Sequence, residues 1–210
     1  MNTERISTFV QLLLNGDKKT TGETTELHLR DNGQSIIALY ETLYKPALYR
    51  VGELWEINKI SVADEHLATA ITESLMNGLF SHIISRERKN KRVVVSCIEG
   101  EQHQVGSKMV ADVFEMHGWD ALYLGANTPL TELIPFLEKN KPEIIAISLA
   151  IYWNIPTLEK WVIELTERFP TMQIILGGQA FAQNRSHSFH KKNTTIIQDL
   201  NQLESFIKTH

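Results

Sequence analysis

Five short apolar runs, separated by stretches of helical periodicity, constrain the second half of this chain more than any other feature. They fall near residues 92–98, 120–124, 143–149, 172–176 and 194–198. The first, Arg92-Val93-Val94-Val95-Ser96-Cys97-Ile98, is β-branched and almost continuously apolar. A strand buried on both faces of a parallel sheet reads this way, whereas a half-buried antiparallel strand alternates. After it, Val105, Met109, Val110, Val113 and Phe114 recur at helical spacing. Strand and helix in alternation imply crossover connections between parallel strands. The expectation for residues 91–210 is an α/β domain with a doubly wound, five-stranded parallel sheet in flavodoxin-like order.

The first half reads differently. Ile6, Phe9, Val10, Leu13 and Leu14 have helical spacing, and Asn15-Gly16 ends that helix. Residues 17–35, rich in Thr, Gly and Asn, read as a loop with at most a helical turn at Leu27–Leu29. A second stripe runs from Ile36 through Tyr40 and Tyr44 to Trp55, with Pro46 expected to kink or restart the helix. Ser61-Val62-Ala63-Asp64 resembles a capping box and opens a long helix to about Arg88. Leu67, Ile71, Leu75, Leu79 and Ile83 form one apolar line on it, and Met76, Phe80 and Ile84 a second. So wide an apolar face belongs in a bundle. Residues 1–90 are therefore expected to form an N-terminal helical-bundle cap, with the charged run Arg86–Arg92 as a solvated connector.

Composition narrows the possible roles. A net charge of -4 gives no basic footprint for direct nucleic-acid binding. The single cysteine, Cys97, allows no disulfide within the chain and reads as a small buried apolar residue. No basic, apolar leader opens the chain, and no apolar run reaches the roughly 20 residues that span a bilayer. The expectation is a soluble, cytoplasmic protein with no membrane partner.

The chemistry-bearing groups cluster at expected strand ends. His103 follows the first strand, with Glu101 two residues before it and Gly106 three after. Open α/β sheets bind ligands at the carboxyl ends of their strands. Ser148-Leu149 ends the third strand and Gly177-Gly178 the fourth. A phosphate-receiver domain would need an Asp at the end of the third strand, where Ser148-Leu149-Ala150 stands. A dinucleotide site would need Gly-x-Gly-x-x-Gly in the first turn, where only Gly100 and Gly106 occur. A carboxylate behind an imidazole orients metal-ligating histidines and raises their basicity. A lone His makes a poor zinc site, but it suits a metal already held by a macrocycle.

Glu101-x-His103-x-x-Gly106, Ser148 and Gly177-Gly178 resemble the Asp-x-His-x-x-Gly, Ser-x-Leu and Gly-Gly signatures of cobalamin-binding domains. The likeness extends through Gly118-Trp119-Asp120 and Leu124–Pro129. Trp55, nine further residues, then Glu65-His66 resembles the Trp-x9-Glu-His signature of B12-dependent photoreceptor repressors of the CarH type. In that group the first motif residue is likewise Glu. The resemblance implies that His103 is the lower axial ligand to cobalt, replacing dimethylbenzimidazole, with Glu101 orienting it. It implies that Val105, Gly106, Ser148, Leu149, Gly177 and Gly178 line the pocket for the displaced nucleotide tail. Trp55, Glu65 and His66 would cap the upper face, favouring adenosylcobalamin over methylcobalamin. The group's second ligating His, directly after the Trp, is Glu56 here.

On these grounds the chain is expected to be a cobalamin-binding sensory or regulatory module, with light as its candidate signal. It would act through a protein partner or homo-oligomer, without DNA-binding or enzymatic activity of its own. One rival expectation is a corrinoid carrier for methyl transfer, the corrinoid subunit of a methyltransferase system. Another is a flavodoxin-like interaction module that has lost its cofactor.

Overall fold

The computed structural model describes residues 2–181, 189 and 193–210. It divides into two compact units, Met1–Ile83 and Ile84–His210.

The first unit is helical: α1 (Asn2–Leu14), α2 (Lys18–Asp31), α3 (Ile36–Leu39), a π-helical turn (Tyr40–Tyr44), α4 (Lys45–Glu56), α5 (Val62–Gly78) and α6 (Phe80–Ile83). Phe9, Leu13, Leu39, Tyr40, Leu43, Tyr44 and Met76 are fully buried in it. The rings of Phe9 and Tyr40 both stack on Tyr44, with centroids 5.8 Å apart in each pair. The Tyr44 hydroxyl bonds Thr25 Oγ1 at 3.0 Å, and burial pushes the phenol well above its usual range.

The stretch expected to be a loop is helical. Asp17 caps α2, its carboxylate accepting from the Thr20 amide at 3.0 Å. Thr21, Thr24 and Thr25 return their hydroxyls to the carbonyls one turn back. Thr21, Thr25, His28 and Leu29 are buried, so packing overrides the weak intrinsic propensity of the Thr-rich sequence. Pro46 acts as expected. It cannot donate to the Thr42 carbonyl, and the helix widens into the π turn just ahead of it, Lys45 N–H reaching back to the Tyr40 carbonyl.

The capping box forms in full: Ser61 Oγ accepts from Asp64 N, and Asp64 Oδ2 accepts from Ser61 N. The long helix, however, ends at Gly78 rather than near Arg88. Asn77-Gly78 is an ordinary helix-ending pair. The apolar lines are only partly internal. Ile71, Met76, Leu79 and Ile83 are buried, whereas Leu67, Phe80 and Ile84 are exposed.

The second unit is the doubly wound domain. Its strands are β1 (Arg92–Ile98), β2 (Asp120–Thr128), β3 (Ile144–Ser148), β4 (Gln173–Gly177) and β5 (Thr194–Ile196). Its helices are α7 (Val105–Met116), α8 (Leu130–Asn140), α9 (Ile155–Arg168) and α10 (Leu200–Thr209). All neighbouring strands are parallel, in the order β2-β1-β3-β4-β5, the expected flavodoxin-like arrangement. Leu133 and Leu137 of α8 and Leu158, Trp161 and Leu165 of α9 pack with Val94, Ile145, Ile147 and Ile174 of the sheet. α7 packs on β1, β2 and β3 and against α10. The chain leaves β1 for β2 on one side of the sheet and later returns as β3 on the other. That reversal opens the crevice at the carboxyl ends where such sheets take ligands. The register aligns Cys97, Ser148 and Gly177 across three adjacent strands, so the loops that follow them converge. Among the described residues, no helix is long and apolar enough to cross a membrane.

Candidate functional site

Glu101 is the pivot of the converging loops. It is fully buried, and its carboxylate accepts four hydrogen bonds from the described residues. Oε1 takes His103 Nδ1 at 2.6 Å and His103 N at 3.0 Å. Oε2 takes the amides of Ala150 at 3.0 Å and Ile151 at 2.9 Å. Burial alone would raise the carboxyl pKa. The bonds from the His103 ring and from the Ile151, His103 and Ala150 amides outweigh it and hold the pKa below its usual value. One ionised carboxylate thus ties the loop after β1 to the loop after β3. It also fixes the imidazole tautomer: with the proton on Nδ1 facing the carboxylate, the ring lone pair lies on Nε2. The His103 side chain is 54% exposed, so the ring stands out from a fully buried base.

The other predicted residues of this unit gather around the same loops. Val105 and Gly106 open α7, and Val105 is buried. A Cβ on Gly106 would lie 3.7 Å from Ser148 Oγ. Ser148 and Leu149 are buried. Leu149 N donates to the Gly177 carbonyl at 2.9 Å, and the Leu149 carbonyl accepts from Ala180 N at 3.1 Å. Gly178 has φ +109, and a Cβ there would meet the Leu149 carbonyl oxygen at 2.3 Å. Beneath His103, Cys97 is fully buried, its thiol pushed up to about 11 by burial. That is a structural thiol, as expected.

Trp55, Glu65 and His66 form a separate group in the helical unit, on either side of the turn 57–61. Trp55 lies in the last turn of α4 and is 47% exposed, rather than core. Glu65 and His66 lie at the start of α5. Glu65 accepts from Thr69 Oγ1 at 2.9 Å, and His66 is exposed, its Nε2 3.6 Å from the Glu65 carboxylate.

Sequence reading did not find the backbone amides of Ala150 and Ile151, whose identity as donors no side chain reveals. It also gave no role to Gln104 or Asn127. Gln104 Oε1 accepts from Ala126 N at 3.1 Å, and Asn127 Oδ1 accepts from Gly100 N at 2.8 Å. The turn-forming Gly125 and Asn127 in an otherwise strand-like run were the available signal.

Fold and loops together define a class: a doubly wound domain, paired with a helical unit, that presents a carboxylate-backed imidazole where its sheet takes ligands. The chain belongs to the B12-binding domain family. One family model described as a B12 binding domain matches residues 91–196, and a second of that description matches residues 6–79. The HTH-type transcriptional repressor CarH of Myxococcus xanthus is 25% identical over 150 residues, covering 70% of this chain and 48% of that protein. Trimethylamine corrinoid protein 1 of Methanosarcina acetivorans is 25% identical over 135 residues, covering 63% and 62%. The chain therefore spans less than two thirds of either relative. The monomethylamine corrinoid protein of Methanosarcina barkeri superposes with a TM-score of 0.77 at 14% identity, over 100% of both chains. The fold is shared, helical unit and parallel sheet alike.

Proposed function

We propose that the chain is a corrinoid carrier for methyl transfer, holding cobalamin with His103 as the lower axial ligand to cobalt. The observation that supports this binding mode is the 2.6 Å bond between Glu101 and His103 Nδ1. With the proton on Nδ1, Nε2 is the ring's metal-binding type of nitrogen, and the carboxylate makes the imidazole a stronger donor. A single imidazole suits an ion whose other positions a macrocycle fills. Gly106, Ser148, Gly177 and Gly178, with Val105 and Leu149 behind them, are suited to the displaced nucleotide tail, because glycines let a ligand approach the backbone closely. Bound cobalamin would supply a cobalt centre able to take up and give off a methyl group. The chain's own part is to orient the imidazole through Glu101, to hold the tail, and to meet methyltransferase partners. The superposition on a corrinoid protein over the full length of both chains favours this reading over the regulatory one.

The sensory reading stands second, supported by Trp55-x9-Glu65-His66 and by the half-exposed Trp55 ring. In that reading these residues cap an adenosyl group. Dissociation constants for methyl- and adenosylcobalamin, with size exclusion of the adenosylcobalamin-loaded protein in the dark and after green light, separate the two. A carrier gives comparable constants and identical elution profiles. An adenosyl preference that narrows in Trp55→Ala, with a light-dependent profile, would overturn the carrier reading in favour of the sensor.

A further inference from the structure

We propose that Asn127 is a positioning residue for His103, clamping the axial-ligand loop from the end of the edge strand β2. The inference rests on the reading of His103 as cobalt ligand and adds a residue to that site. Asn127 grips the loop at two points. Its amide donates to the Glu101 carbonyl at 3.0 Å, and its side-chain oxygen accepts from Gly100 N at 2.8 Å. The residues it holds thus lie two and three positions before His103. On the far side of the histidine, Gln104 Oε1 accepts from Ala126 N at 3.1 Å, and the Tyr123 hydroxyl donates to the Gln104 carbonyl at 3.2 Å.

The end of β2 is shaped for this clasp. Its register against β1 slips between Val95 and Ser96 and again between Ser96 and Ile98, each time placing one extra residue on β2. Bulges of this kind re-aim groups beside functional sites. Asn127 sits there with φ +52, a left-handed conformation that Asn tolerates better than most residues. A Cβ on Gly125 would come within 3.0 Å of Gln104 Oε1, so even the neighbouring glycine makes room for the clasp. Asn127 is itself exposed and adds little to the core. Its two bonds bear on where the loop lies more than on whether the sheet folds. A cobalt–imidazole bond depends on placement, and metal-ligating groups are commonly held by partners of their own.

The test compares Asn127→Gly, which keeps the left-handed backbone and removes the acceptor, with Asn127→Asp, which keeps an acceptor. Each protein is loaded with methylcobalamin and warmed until both imidazole-ligated and ligand-released forms appear in the visible spectrum, while far-UV circular dichroism monitors the fold. The expected result is a ratio of ligated to released form about fivefold lower in Asn127→Gly, the shift carried by one lost hydrogen bond. Asn127→Asp is expected to retain the wild-type ratio. An unchanged ratio in Asn127→Gly overturns the assignment, as does an equal loss in both variants. Weaker binding with the wild-type ratio would make Asn127 a direct contact of the corrin and overturns it too. If wild type shows no imidazole-ligated form, the reading of His103 fails first and takes this assignment with it.

Discussion

Replacing His103 with Ala is expected to abolish the imidazole-ligated spectrum of bound cobalamin and to weaken binding sharply. Loss of even an outer partner costs a metal site roughly 10- to 100-fold in affinity, and loss of the ligand itself should cost no less. His103 offers little to the fold that could explain such a loss otherwise. Its ring stands half out of the loop, and the Glu101 carboxylate keeps the His103, Ala150 and Ile151 amides as donors when the ring is removed. The apoprotein should therefore remain folded, and added imidazole should restore part of the spectrum in a His103→Gly variant. Titration with cobalamin followed by absorption measures both effects. Unchanged affinity and spectrum in His103→Ala would remove His103 from the site.

Gly178→Ala is expected to cost about 3 kcal/mol or more of stability in the sheet unit and to abolish cobalamin binding. At φ +109 an alanine is strained, and its Cβ would lie 2.3 Å from the Leu149 carbonyl oxygen and 2.9 Å from the Leu149 amide nitrogen. Those are backbone atoms, with no rotamer to turn aside. Moving them would break the Leu149–Gly177 and Ala180–Leu149 hydrogen bonds, which hold the ends of β3 and β4 together beside Ser148. Urea unfolding reads the first loss and cobalamin titration the second. Gly52→Ala is the control. It lies inside α4, a Cβ there meets nothing within 4 Å, and the change should be neutral or stabilise by up to about 1 kcal/mol.

The parts of this molecule that were legible in its sequence are those where burial writes a period. Val93–Ile98 and Ile144–Ser148 are buried on both faces, and their nearly continuous apolar runs announce a parallel sheet. Asp17–Asp31 was not legible, because Thr21 and Thr25 occupy core positions that an apolar residue would usually mark. Their hydroxyls are satisfied within the helix, a solution visible only once the helix exists. The apolar lines of α5 and α6 misled in the other direction: Leu67 and Phe80 share the spacing of the core but are exposed. In the site, Glu101, His103 and Gly106 stood out because a carboxylate and an imidazole are visible as side chains and one loop fixes the spacing of all three. The donors from Ala150 and Ile151 belong to the backbone some 50 residues away. The clasp by Asn127 arises from a register slip between two strands, and no single stretch of sequence contains it.

The central claim, that His103 replaces the cofactor's own base beneath cobalt, meets its most direct test in electron paramagnetic resonance of the protein loaded with cob(II)alamin. The axial nitrogen splits each cobalt line into three when it is the common isotope and into two when it is nitrogen-15. Protein grown with nitrogen-15 histidine and loaded with unlabelled cofactor is predicted to give doublets, with triplets in unlabelled protein. Triplets that persist in the labelled protein would mean that the dimethylbenzimidazole still holds the cobalt, contradicting the account.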